Sequence, residues 1–248
     1  MDEFAPEWNR IRKLWHVSGC LLMILIFSLW QSWGSLIHPS LSGLDFMMII
    51  AWLETFLTIV IDLIRLHSDR HNQIVKGLPL FRWIMRRHEE SRFNTSTYYI
   101  LSSAILVSGC RLGWWESKVI IMALVVLGFA DPAASWIRYR IHLAKRGAKA
   151  TRLAGLFVFL AVGSLMVWLA DLAMAGHADF SRLFCAVAAA ALSEAYGSEI
   201  VVLVRPLTKK FQEAVKHPAT WWMTRLYFAE DNLVIPLMFA LTATLVGF

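Results

Sequence analysis

Seven apolar runs, at about 14–31, 44–66, 97–112, 117–137, 153–175, 180–204 and 233–248, alternate with polar connections along the chain. A helix needs about 20 apolar residues to cross the hydrocarbon core of a bilayer. In lipid its backbone polar groups must be satisfied within the helix itself. The pattern predicts an all-α fold, a polytopic transmembrane bundle of about seven spans. Charge agrees: 17% of residues are charged and 58% hydrophobic, against roughly 25% charged in a soluble domain. Seven spans and their loops use nearly all of the 248 residues, so a single integral-membrane domain over 1–248 is expected.

The basic residues set the orientation. Arg10, Arg12 and Lys13 precede the first run, seven Lys and Arg fall in 65–96, six in 138–152 and five in 205–230. The intervening loops hold only Arg111, Lys118 and Arg182, so 21 of the 24 basic residues share one side. By the positive-inside rule that side is cytoplasmic, which predicts an N-in, C-out topology. Read by position, the net charge of +6 marks topology and lipid headgroups, not nucleic acid. No small-x-small cleavage site follows the first run, which reads as a retained span. Segments 77–90 and 206–228 mix apolar and basic residues at helical spacing, as helices lying on the inner membrane surface do. Trp30, Trp33, Trp114 and Trp115 fall at predicted outer edges, and Trp8, Trp15, Trp136, Trp221 and Trp222 at inner ones, as interfacial indoles do. The small residues of Ala186–Ala191 suit close helix packing. Cys20, Cys110 and Cys185 lie in separate apolar runs with no metal-ligand spacing, which argues against a disulfide framework.

Ionisable groups within or beside spans are costly and mark function by default. Glu54, Thr58 and Asp62 follow i, i+4, i+8 spacing in the second run, which puts them on one helical face. Asp62, Asp131, Glu194, Glu199, Asp231 and Asn232 approach the predicted inner leaflet. Arg12, Lys13 and His16 begin the first run on that side, and Glu89, Glu90, Asn94 and Tyr99 introduce the third. Carboxylates able to hold Mg²⁺ thus share a layer with cations able to hold phosphate, the combination that phosphoryl transfer asks of a protein. Plainer roles compete: Glu54 and Asp62 pairing with Arg65, a packed His16, Pro132 and Pro236 as helix kinks. Asp131 and Asp231-Asn232 have no such plain role in a lipid-facing span. A Walker A sequence, a dinucleotide glycine fingerprint and HExxH are all absent, and no lysine lies in the interior of a run, Lys118 standing at the very edge of one, to form a retinal Schiff base.

These polar islands resemble a family. Arg12-Lys13-Leu14-Trp15-His16-Val17-Ser18-Gly19 is similar to an R-K-x-x-H-x-x-x-G entry to a first span. Arg86-Arg87-His88-Glu89 through Asn94 to Tyr99 resembles R-x-x-E-x(4)-N-x(4)-Y, and Asp131-Pro132-Ala133-Ala134 resembles D-x-A-A. Ser193-Glu194 and Asp231-Asn232-Leu233-Val234-Ile235-Pro236 are similar to S-E and D-N-x-x-x-P signatures. In this order they look like the CTP-dependent lipid-alcohol kinases, which include dolichol kinase, phytol kinase and the CTP-using diacylglycerol kinase. The chain departs from that pattern in three places. Arg138 stands where the family has glycine. Thr151-Arg152-Leu153-Ala154-Gly155-Leu156 replaces a K-[ST]-x-x-G-S stretch. More than thirty residues separate Glu194 from Asp231.

The resemblance implies a CTP-dependent kinase that phosphorylates the hydroxyl of a membrane lipid alcohol, with Mg²⁺ or another divalent cation as cofactor and the site facing the cytoplasm. On that reading Asp131 and Asp231 hold the metal and Asn232 orients. Arg12, Lys13, Arg86 and Asn94 bind the nucleotide, and Glu89 or Glu194 accepts the alcohol proton or supports a metal ligand. A phosphatidate cytidylyltransferase and a non-enzymatic transporter or scaffold are the alternatives.

Overall fold

The computed structural model describes residues 9–37, 40, 42–79, 92–175, 179–196 and 231–247, all of its regular structure helical. The helices are α1 (Arg10–Ile37), α2 (Gly43–His67), α3 (Asp69–Gly77), α4 (Thr95–Arg111), α5 (Ser117–Val125), α6 (Asp131–Leu143) and α7 (Ala148–Ala175). The described part of α8 covers 180–196, and α9 is Asp231–Leu245. Among the described residues four helices are long and apolar enough to cross a membrane: Arg10–Leu29, Gly43–His67, Ser117–Leu143 and Ala148–Met174. Their outer faces carry large bare hydrophobics, such as Leu22 and Leu25 on α1, Leu53 and Phe56 on α2, and Phe157 and Leu165 on α7. Contiguous apolar surface of this kind needs lipid or a partner to cover it. The surface-helix segments foreseen at 77–90 and 206–228 lie almost wholly outside the described residues.

The Ser117–Leu143 rod is the axis of the bundle. Its apolar window is 67% buried, against 17–28% for the other three. A π-helical turn, Val126–Ala130, joins α5 to α6 and touches α1, α7 and α9. Pro132 explains its position. A proline inside a straight α-helix would collide with the carbonyl one turn back and leave it without a donor. Widening the preceding turn relieves the clash, and π-bulges frequently mark functional sites. One carbonyl in the turn, that of Leu127, accepts the Nε2–H of His16 at 3.1 Å.

Small residues let the neighbours close in. A Cβ on Gly128 would stand 2.8 Å from Cys20 Cβ of α1, and one on Gly163 of α7 would stand 2.8 Å from Val187 Cγ1 of α8. Ala186, Val187, Ala190 and Ala191 are all buried, as the small-residue run foretold. Trp115 departs from its expected interfacial role. Its ring fills the space over Gly109, where a Cβ would fall 2.1 Å from Trp115 Cζ2, and its Nε1–H donates to the Leu106 carbonyl at 2.7 Å. Trp15, Trp114 and Trp136 do keep exposed rings.

α2 begins with a capping box, Ser42 Oγ accepting from Asp45 N–H at 3.1 Å. Its buried residues are Met47, Ala51, Thr55, Asp62 and Arg65. Glu54 is exposed, so the single polar face expected for Glu54 and Asp62 is not formed. Eight residues at about 100° each return to a direction about 80° away, not to the same one. Asp62 therefore looks inward and Glu54 outward.

Candidate functional site

The site forms where α1, α4, α6, α8 and α9 meet. Asp131 opens α6 directly after the π turn, and Asp231 opens α9, 100 residues later in the chain. Glu194 stands on the described end of α8. One carboxylate oxygen from each of Asp131, Glu194 and Asp231 lies within 4.8 Å of the others. This trio could coordinate a divalent cation. Carboxylates so close repel one another unless a cation or a proton is shared among them.

Asp131 and Glu194 have cationic partners. Lys13 Nζ reaches Asp131 Oδ2 at 3.0 Å and also donates to Ser135 Oγ at 2.9 Å. Ser135 Oγ–H in turn faces Asp131 Oδ1 at 3.3 Å. Arg138 donates through Nη2 to Glu194 Oε1. Glu194 Oε2 is buried without a hydrogen-bond partner, and a buried carboxylate oxygen left bare is costly. The Arg138 side chain lies over Gly155 of α7, where a Cβ would stand 2.7 Å from its Nε. Glycine at 155 therefore makes the room that Arg138 occupies.

A polar cavity of about 20 Å³ adjoins the carboxylates, lined by Arg12, Lys13, His16, Thr95, Asp131, Asp231 and Asn232. That is space for about one water or a cation. Two bonds cross the cavity wall at Thr95: Arg12 Nη2 donates to its Oγ1 at 2.8 Å, and Asn232 Nδ2 donates to its carbonyl at 3.2 Å. His16 Nε2 stands 3.9 Å from Asp131 Oδ2, and its ring lies 6.0 Å from that of Tyr99.

Of the residues singled out in the sequence, Arg12, Lys13, Asp131, Asp231 and Asn232 come together around this cavity. Glu194 joins Asp131 and Asp231 as a third oxygen donor. Asn94 stands one residue away from Thr95 as the N-cap of α4, its Oδ1 accepting from Ser96 N–H at 2.8 Å, and does not line the cavity. Arg86 and Glu89 lie outside the described residues. Thr95, Ser135 and the pairing of Arg138 with Glu194 were not foreseen. The one signal for Arg138 is a charge standing where the resembled family keeps glycine.

The donor set is all oxygen, which suits a hard cation such as Mg²⁺ or Mn²⁺ over zinc or copper. The bare Glu194 oxygen fits such an ion: it is a buried acceptor with nothing on it. The cations Arg12 and Lys13 in the same lining give the cavity the mixed character that a metal-bound anion needs. Comparison with known proteins returns nothing: no family model, no curated protein and no solved structure matches the chain.

Proposed function

We propose that this chain is a multi-pass membrane enzyme that transfers the γ-phosphoryl group of CTP to the hydroxyl of a membrane lipid alcohol. The observation that carries the reading is the meeting of Asp131, Glu194 and Asp231 oxygens within 4.8 Å, beside a cavity walled by Arg12 and Lys13. Phosphoryl transfer needs little covalent help from a protein. It needs a held metal, neutralised phosphate oxygens and an oriented nucleophile. The ordered islands that resemble the CTP-dependent lipid-alcohol kinases contribute the same residues, which favours this substrate class over other metal chemistry.

The topology proposed with it is seven spans, N-in and C-out, with the site in the inner-leaflet layer. A nucleotide then arrives from the cytosol, and a lipid hydroxyl waits at headgroup depth. Asp131 and Asp231 would hold the cation and Glu194 Oε2 would complete its protein ligands. The bound ion supplies charge neutralisation to the phosphate oxygens. The remaining work belongs to the chain. Lys13 holds the Asp131 carboxylate in place, Arg138 holds Glu194, and Asn232 presents its amide to the cavity. Arg12 takes phosphate oxygens as a bidentate donor. Arg86 and Glu89, in the segment before α4, are the proposed further nucleotide contact and proton acceptor.

The test is a phosphorylation assay on purified protein with labelled CTP or ATP and Mg²⁺, against diacylglycerol, polyprenol and phytol. Labelled phospholipid together with CDP supports the kinase. Pyrophosphate release from CTP and phosphatidate identifies a cytidylyltransferase instead, and no turnover with either nucleotide contradicts both.

A further inference from the structure

Asp62 does not line the cavity, yet its carboxylate accepts four hydrogen bonds. Oδ1 accepts from Arg65 Nε at 3.0 Å and Nη2 at 2.8 Å. Oδ2 accepts from the Asn94 backbone N–H at 2.8 Å and the Thr97 hydroxyl at 2.7 Å. Arg65 is 1% exposed and Asp62 3%. The guanidinium also donates to the Arg92 carbonyl at 2.5 Å and to Asn72 Oδ1 at 3.2 Å. Three segments, α2, α3 and the entry to α4, are tied to one buried ion pair.

Thr95 stands between the two α4 residues that Asp62 holds. Two of its polar groups are committed to the cavity wall, the hydroxyl accepting from Arg12 and the carbonyl from the Asn232 amide. A carbonyl only accepts, so the NH₂ of Asn232 must face Thr95 and its Oδ1 is turned the other way. Asn232 follows Asp231 of the carboxylate trio directly. A shift of residues 94–97 would therefore move Arg12 and Asn232, two residues of the cavity lining, together.

We propose that Asp62 is a positioning residue of the carboxylate site: by fixing residues 94–97 it sets, through Thr95, where Arg12 and the Asn232 amide stand. The proposal rests on the metal reading given above. Ion-pair stabilisation alone accounts for the Arg65 bonds. It does not account for the second oxygen, which is spent on a backbone N–H and a hydroxyl that flank Thr95.

Neutralising Asp62 strands a buried Arg65 and endangers the fold, so the primary variant is Thr97→Val, which leaves the ion pair intact. Thr97→Ser restores the hydroxyl. The probe is Mn²⁺, titrated into the full-length purified protein and followed by its electron paramagnetic resonance spectrum. Thr97→Val is expected to weaken Mn²⁺ binding about five- to tenfold, the scale of one lost hydrogen bond, and to alter the spectrum of the bound ion. Thr97→Ser keeps the wild-type affinity and spectrum. Both variants are compared at a temperature where each is fully folded, which removes a general stability effect. If the wild type takes up Mn²⁺ and Thr97→Val matches it in affinity and spectrum, the positioning role is overturned and the metal reading stands. If the wild type takes up none, or Asp131→Asn binds as well as wild type, the metal reading falls and the positioning proposal falls with it.

Discussion

Asp62 and Asp131 are both buried acids with a buried cation beside them, but their surroundings are completed differently. Asp62 is met by four donors, and both of its oxygens are filled. Asp131 shares its neighbourhood with Glu194 and Asp231, and there a buried Glu194 oxygen is left bare. A saturated carboxylate has no capacity left for a ligand. Crowded carboxylates with an unfilled oxygen keep capacity for a further donor or a cation. The comparison teaches that burial and charge do not tell these two neighbourhoods apart, whereas the filling of their oxygens does.

Four substitutions break or sharpen this contrast, in falling order of effect. Asp131→Asn keeps the shape and loses the charge. It should lower phosphoryl transfer by about a hundredfold or more, the scale of removing one electrostatic contributor to the transition state. Product formation by purified protein, with a melting curve to show that it is folded, reads this out. Arg65→Met should do the opposite and act on stability first. Breaking a buried pair from one side costs about 3–5 kcal/mol, visible as a large fall in the detergent melting midpoint. Gly109→Ala touches neither cluster. Its new Cβ meets the Trp115 ring, and overpacking of this kind costs about 1–3 kcal/mol, with Mn²⁺ affinity per folded molecule unchanged. Glu54→Gln, on the exposed face of α2, should leave stability within about 0.5 kcal/mol, as is usual for an exposed position. Transfer should be unaltered. An activity loss with Glu54→Gln as large as with Asp131→Asn would erase the distinction between the two groups of acids.

The parts of this arrangement that stood out in the sequence are those where a charge interrupts an apolar run. Asp131, Asp231-Asn232 and Arg12-Lys13 are conspicuous because lipid as solvent makes them expensive, and the structure collects them around one cavity. Thr95 and Ser135 gave no such signal, since hydroxyls sit readily in apolar helices by bonding backbone carbonyls a turn back, as Ser102 and Ser103 do to Tyr99. The π turn was equally hidden: apolar periodicity does not register one widened turn, and Pro132 was its only trace. The inward Asp62 and outward Glu54 were merged by treating i+8 as one face, where the helical drift of about 80° separates them. Four described helices clear the length and hydropathy needed to cross a bilayer. α9, of 15 residues, is shorter, and the described part of α8 ends at residue 196.

The central claim is that Asp131, Glu194 and Asp231 share one divalent ion. A structure determined after soaking with Mn²⁺, with its anomalous signal recorded, tests it most directly. The account predicts one peak bounded by oxygens of all three residues, at the roughly 2.0–2.3 Å typical of hard divalent cations. Glu194 Oε2 should be among them. A map with no peak there, or with an ion held elsewhere while Glu194 Oε2 stays bare, contradicts it.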